Sequence, residues 1–230
     1  MQVRQSLTSN VINTSLLVAK NLSRKELKLT RKELKKSAAA QNEIKDTQIR
    51  QKFESTFFAL LNQHNQILEK LLTDDILQKV IPMKDVGLTS ISSKKFVLLE
   101  VINSKFKGEY KLHGHYFRVL YQLLKFIALN VPESKIHSLN KDTQPFTPST
   151  DEKMYSNMVR AFLSSDVVLL LAINCYCSKG DDDIYCGYKW LVEHYAFFEH
   201  LPLDNETQLL SEIKEYYNES VFGNNESLSI

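Results

Sequence analysis

Phe53-Glu54-Ser55-Thr56-Phe57-Phe58-Ala59-Leu60-Leu61-Asn62-Gln63-His64-Asn65-Gln66-Ile67-Leu68-Glu69-Lys70-Leu71-Leu72 is the stretch on which the fold turns. Phe53, Phe57, Leu60, Leu61, His64, Ile67, Leu68 and Leu71 recur at three- and four-residue steps, and Glu54, Asn62, Asn65 and Glu69 fall on the far side. That spacing collects the apolar side chains into one stripe, so the segment reads as an amphipathic helix facing a core.

Upstream, no Gly occurs before Gly87 and no Pro before Pro82, so nothing breaks a helix from the start of the chain to this stripe. Residues 20–52 carry eleven Lys/Arg against four Asp/Glu, whereas 53–230 carry seventeen against twenty-three. The net charge of +2 therefore hides a basic arm on an acidic body. Arg-Lys-Glu-Leu appears at 24–27 and again at 31–34, a seven-residue period. Leu27, Thr30, Leu34, Ser37, Gln41, Ile44 and Gln48 continue it as a half-polar heptad seam, and Lys25, Lys28, Lys32 and Lys35 line another side. Two readings stay open: a solvated helical arm, or a coiled-coil-like arm that makes a homo-oligomer through Leu27 and Leu34. The lysines suit an anionic partner, nucleic acid included, but no nucleic-acid-binding motif accompanies them.

Downstream, 73–87 reads as a short helix and a turn at Pro82. Ser92 or Ser93 caps a helix running through Phe106 and ending at Gly108, and a further helix spans 113–130, stopped by Pro132. Residues 131–150, with Pro132, Pro145 and Pro148, form a loop. Thr150 or Asp151 caps one helix that runs on to Ser178 and closes at Gly180; its apolar stretch 167–173 belongs at the centre of the core, packed on 53–72. After a charged turn at 181–183 come a helix over 184–201, ended by Pro202, and a last amphipathic one over 204–219. No stretch alternates as a strand does. The expectation is an all-α chain: a basic arm over 1–52, a helical bundle-like domain over 53–222 and a frayed tail over 223–230.

No apolar run approaches the roughly 20 residues of a membrane span, and the first twenty residues carry no signal-peptide block. The odd cysteine count of Cys175, Cys177 and Cys186 predicts buried thiols in a reducing, cytoplasmic setting. His113 and His115 with these cysteines invite a zinc reading, but Cys175 and Cys177 are two apart on an expected helix and point to different faces. No metal or cofactor is expected. His64 falls on the apolar stripe and reads as a core histidine. His115, Arg118, Gln122 and Lys125 share a helix face, and Arg160 sits beside the most apolar run, where a charge needs a partner. His64, His115, Arg118 and Arg160 are the catalytic candidates, with no Gly-rich phosphate loop, nucleophile motif or paired carboxylates to support them.

Three segments taken together resemble a known family. They are Phe53-Glu54-Ser55-Thr56-Phe57-Phe58 with Leu60, Leu61 and His64; His115-Tyr116-Phe117-Arg118-Val119-Leu120-Tyr121 with 124–127; and Arg160-Ala161-Phe162-Leu163-Ser164-Ser165 with Leu169, Leu170 and Asn174. Leu191-Val192-Glu193-His194-Tyr195-Ala196 and Leu201 extend the likeness. Their order and spacing, over residues 22–203, resemble the phage abortive infection proteins, an AbiC-like bacterial antiphage defence family. Many members carry membrane helices ahead of the linker that the basic arm resembles; this sequence shows none, so at most a peripheral membrane association is expected. The resemblance implies a defence role exercised on an unidentified phage or host protein. It names no reaction, and an RNA-cleaving effector built on the four candidates is the alternative.

Overall fold

The computed structural model describes residues 2–73, 97–109, 114–132, 134–136, 147–177, 183–204 and 207–225, with side chains described at these positions except 2–19, 97, 106–109 and 183–185. Among them are seven α-helices and no strand: α1 (Gln2–Leu72), α2 (Val97–Glu109), α3 (Gly114–Asn130), α4 (Thr150–Arg160), α5 (Ser165–Asn174), α6 (Asp183–His194) and α7 (Gln208–Tyr216), followed by a 3-10 turn at Glu219–Phe222. The chain is all-α, as its periodicity predicts. The expected short helix and turn over 73–87 and the Ser92 or Ser93 cap lie outside the described residues, as do His113 and the 181–182 part of the charged turn.

Two compact units are present, Met1–Lys52 and Phe53–Ile230. In the first, every side chain from Lys20 to Lys52 is exposed, Leu27 at 52% and Leu34 at 64% included. Lysine and glutamate favour the helix here without a core, with local contacts such as Lys36 Nζ to Glu33 at 3.8 Å.

In the second unit Phe53, Phe57, Leu61, His64, Leu68 and Leu71 turn inward, the stripe that opened the argument. The Phe53 ring lies 5.2 Å from Phe126 of α3 and 4.8 Å from Tyr155 of α4, and Tyr155 also meets Phe57 edge-on at 4.8 Å. The Tyr155 hydroxyl donates to Glu54 Oε1 at 3.1 Å. α1 is thus fastened to α3 and α4. The expected pairing of 53–72 with 167–173 is not the principal one, because α5 is packed chiefly by α2.

α5 is the centre. Val167 through Cys175 are all buried. A helix with no wet face must find partners for its last carbonyls inside the protein. Asn103 Nδ2 of α2 donates to Ile173 O at 2.7 Å, and the Tyr217 hydroxyl donates to Ala172 O at 2.6 Å. Just beyond, the Tyr216 hydroxyl bonds Cys177 N and O, each at 2.9 Å. α7 reaches across to α2 as well: Glu212 accepts from Leu98 N and Leu99 N, at 3.3 and 2.8 Å, placing a carboxylate on a helix N-terminus.

Four expectations are corrected. The single helix expected from Thr150 or Asp151 to Ser178 is two helices, capped at Ser149 and again at Ser164, with a bend of 111° between them. α4 keeps Met154 and Met158 half exposed, whereas α5 is apolar on every side, so a straight continuation would have left α5 in water. The helix expected to reach Leu201 stops at His194, and residues 195–200 turn through Ala196 at φ +51°. Of the tail expected to fray over 223–230, residues 223–225 are pinned, the buried Asn225 side chain donating to Glu199 O and Leu201 O at 2.9 Å each, and 226–230 lie outside the described residues. Lastly, Cys177 and Cys186 form a disulfide, with Cα atoms 5.8 Å apart, and Cys175 alone is a free buried thiol. Cysteine usage therefore no longer argues for a reducing compartment. α2 also runs through Gly108 to Glu109, a small extension of the expected end.

Phe57 is fully buried between two aromatic neighbours. Phe57→Ala is expected to cost about 3–5 kcal/mol in urea denaturation; a loss under about 1 kcal/mol would contradict this packing.

Candidate functional site

The four catalytic candidates do not share one set of contacts. His64 is fully buried on α1. Its Nδ1 lies 3.0 Å from Asn65 Oδ1, which can only accept, so Nδ1 carries the proton and Nε2 accepts from the Tyr116 hydroxyl at 3.2 Å. Burial lowers the His64 pKa from its ordinary value, partly offset by the Asn65 bond, and burial also raises that of Tyr116. A neutral histidine capping a tyrosine is a core contact. His115 and Arg118, one turn apart on α3, are both exposed. Arg160, at the end of α4, donates from Nη1 to Ala196 O at 2.8 Å and pairs through Nη2 with Glu199. It holds the turn that follows α6, including the left-handed Ala196, a conformation that costs a non-glycine residue about 1–2 kcal/mol.

A cluster that the sequence reading passed over gathers instead around Glu152. Ser149-Thr150-Asp151-Glu152 is a capping box: Glu152 N donates to Ser149 Oγ at 3.2 Å, and Ser149 N donates to Glu152 Oε2 at 2.8 Å. The carboxylate is only 3% exposed. Its other oxygen accepts from the Tyr195 hydroxyl at 3.3 Å and lies 3.3 Å from Ser134 Oγ, whose proton is directed to Ala128 O at 2.5 Å. His194 Nε2 stands 3.8 Å from the same oxygen. Burial works to raise the Glu152 pKa, but His194 and the Ser149 bonds outweigh it and hold the carboxyl below the usual range.

His194 stacks on Trp190, ring centres 4.5 Å apart and 15° from parallel, and meets Tyr195 edge-on. Its Nε2 is buried with no hydrogen-bond partner. Beside it opens a cavity of about 370 Å³, walled by Lys135, Thr147, Ser149, Thr150, Glu152 and His194. Chemically this is one imidazole nitrogen able to give or accept a proton, with a carboxylate behind it and an ammonium on the wall. Ser149 Oγ, on the same wall, accepts from the Glu152 amide. Among the described residues no three His, Cys, Asp or Glu side chains come together as a metal site. The Ser-x-x-Glu spacing was the available signal for Glu152; His194 had none, since its place depends on the turn after α6.

The interaction residues Lys25, Lys28, Lys32, Lys35, Leu27 and Leu34 are all exposed on α1. Among the described residues no single helix is long and apolar enough to cross a membrane; α4 and α5 pass that test only as a bent pair.

The buried titratable groups set an acid limb of stability. An unfolded histidine titrates near 6.5, and His64 is depressed on folding. The unfolded chain therefore takes up its proton first, and the His64 contribution, complete above about pH 6.5, is lost as pH falls below it. Glu152, depressed likewise, contributes above the ordinary carboxylate range, and that contribution is lost as pH falls through its folded value. His64→Gln is expected to flatten the upper part of the limb, and Glu152→Gln the lower part, in urea titrations from about pH 8 to about pH 2. An unchanged profile in both variants would refute the assignment.

With this geometry in place, comparison with known families is informative. Residues 109–206 match the family described as "Putative phage abortive infection protein". The match contains the whole Glu152–His194 cluster and Arg160, and leaves α1 outside. No curated protein and no solved structure matches the chain.

Proposed function

We propose, from the match of residues 109–206 to the phage abortive infection family, that the chain is an antiphage defence protein whose helical body is an interaction or effector module. The family match carries this reading. In it, phage infection is sensed and the host cell is arrested or killed before new virus is released, with an unidentified phage or host protein as the body's partner. A cytoplasmic site of action is part of the proposal. The partition of the four catalytic candidates supports the interaction reading over an RNA-cleaving one: His64 is spent on Tyr116 and Arg160 on Ala196 and Glu199.

The arm's part in this proposal is self-association or docking. Leu27, Leu34 and Ile44 lie uncovered along the heptad seam. Glu26 and Arg31 border the seam at positions where, in two parallel copies, each glutamate meets the other copy's arginine. A helix this long without tertiary contacts is marginal alone, because helix nucleation is costly, so a partner helix would stabilise it.

Two measurements test this. In a phage-challenge assay, expression of the chain should reduce plaque number and burst size while infected cells die early. Joint replacement His115→Ala with Arg118→Ala should preserve protection. Normal plaquing across a broad phage panel would defeat the defence reading; lost protection by a stably folded double variant would favour the enzyme. For the arm, sedimentation of the full chain should give a mass above the monomer, and a chain beginning at Gln51 should give the monomer mass. Monomer masses for both, at low and at physiological salt, would remove self-association.

A further inference from the structure

Residues 20–36 of α1 hold eight Lys/Arg, namely Lys20, Arg24, Lys25, Lys28, Arg31, Lys32, Lys35 and Lys36, against Glu26 and Glu33. All are exposed. At about 100° per residue the eight fall within an arc of about 160°, over about 24 Å of helix. Glu26, Glu33 and Thr30 occupy the opposite side. Further along, Glu43 and Asp46 enter the same arc, so the stripe is confined to its first seventeen residues. Among the described residues 20–36, the ion pair formed is Lys36 with Glu33, at the edge of the arc.

A cationic row of this kind fits three polyanions: a lipid surface, a single-stranded nucleic acid or a duplex. A helix that lies in a membrane interface needs an apolar face to insert. Here Leu22 and Leu29 form one row and Leu27 and Leu34 another, about 140° apart and flanking the lysines, so no single apolar face exists. Single strands are gripped by stacking on aromatic rings, and residues 20–52 contain no Phe, Tyr, Trp or His. A duplex asks only for cations at phosphate spacing. An α-helix about 10–12 Å across fits the B-form major groove, about 12 Å wide, with phosphates on both flanks. The A-form major groove is too narrow for it.

We propose that the basic stripe Lys20–Lys36 of α1 is a sequence-independent docking surface for double-stranded DNA, lying along about seven base pairs. The heptad seam adjoins one edge of the stripe, at Arg31, while Lys25, Lys28, Lys32 and Lys35 lie farther round the helix, so a second copy on the seam leaves those four lysines open to DNA. This inference does not rest on the abortive infection reading, and its test is separate from the phage assay.

The test titrates the full-length chain into a fluorescein-labelled DNA duplex of about 20 base pairs, into the same sequence as duplex RNA, and into phosphatidylserine-containing vesicles. Each neutralised phosphate contributes about −0.9 to the slope of log affinity against log salt, so five contacts predict a slope of about −4 to −5 for DNA. Reversing Lys25→Glu, Lys28→Glu, Lys32→Glu and Lys35→Glu together should weaken DNA binding by about 100-fold or more at unchanged helicity. The off-stripe pair Lys45→Glu with Lys214→Glu should change it little. Absent DNA binding at low salt, tighter binding to RNA or to vesicles, or undiminished binding by the fourfold reversal would each overturn the proposal.

Discussion

A helix buried on every side beyond its first two residues organises this protein. From Val167 to Cys175 the chain offers apolar side chains in every direction, so other elements have to surround it, and they do so with specific hydrogen bonds at its carboxyl end. Asn103 ties α2 to Ile173 O, Tyr217 ties the end of α7 to Ala172 O, and Tyr216 bonds the backbone of Cys177 just past the helix. Each bond satisfies a group that would cost about 1–3 kcal/mol if buried alone. Hydrophobic burial draws the elements together, but it is non-directional; these bonds decide which helix lies where.

Polar groups elsewhere in the body extend the same logic. Glu152 joins the start of α4 to the segment after α3 and to Tyr195, and Arg160 joins the end of α4 to the turn at Ala196. Buried charges are tolerated because each is surrounded by hydrogen-bond partners or an opposite charge. A Cβ at Gly223 would approach Ala196 Cβ to 3.3 Å, so glycine there lets the carboxyl-terminal turn close over the same corner. Residues that a chemist would nominate from type alone, His64 and Arg160, are used to hold the fold. Among the described residues, the buried imidazole nitrogen left without a hydrogen bond belongs to His194, inside the segment that matches the abortive infection family.

The two units obey different physics. The body buries an apolar core, while the arm from Lys20 to Lys52 is exposed throughout and predominantly basic. Salt barely touches a core, but it screens exposed charges beyond about 10 Å at 0.1 M. Arm and body contributions to any assembly are therefore separable by ionic strength.

What the sequence by itself determined was local. Steps of three and four from Phe53 to Leu71 made α1 amphipathic, the absence of Gly and Pro made it long, and the Lys/Arg excess made its first part basic, all through neighbours within a few turns. The helix caps were also legible: the Ser149–Glu152 capping box, and Ser164 ahead of Asp166, mark two helix starts where a purely periodic reading joins them. Only the tertiary structure decided the rest. The turn at Ala196 has no glycine to announce it and is held by Arg160, 36 residues earlier, which donates to the Ala196 carbonyl. Cys177 and Cys186 meet because α5 and α6 end and begin side by side. His194 faces Glu152 because that turn and the α4 cap converge, and hydrogen bonds spanning 25 to 114 residues leave no periodicity for a sequence to display.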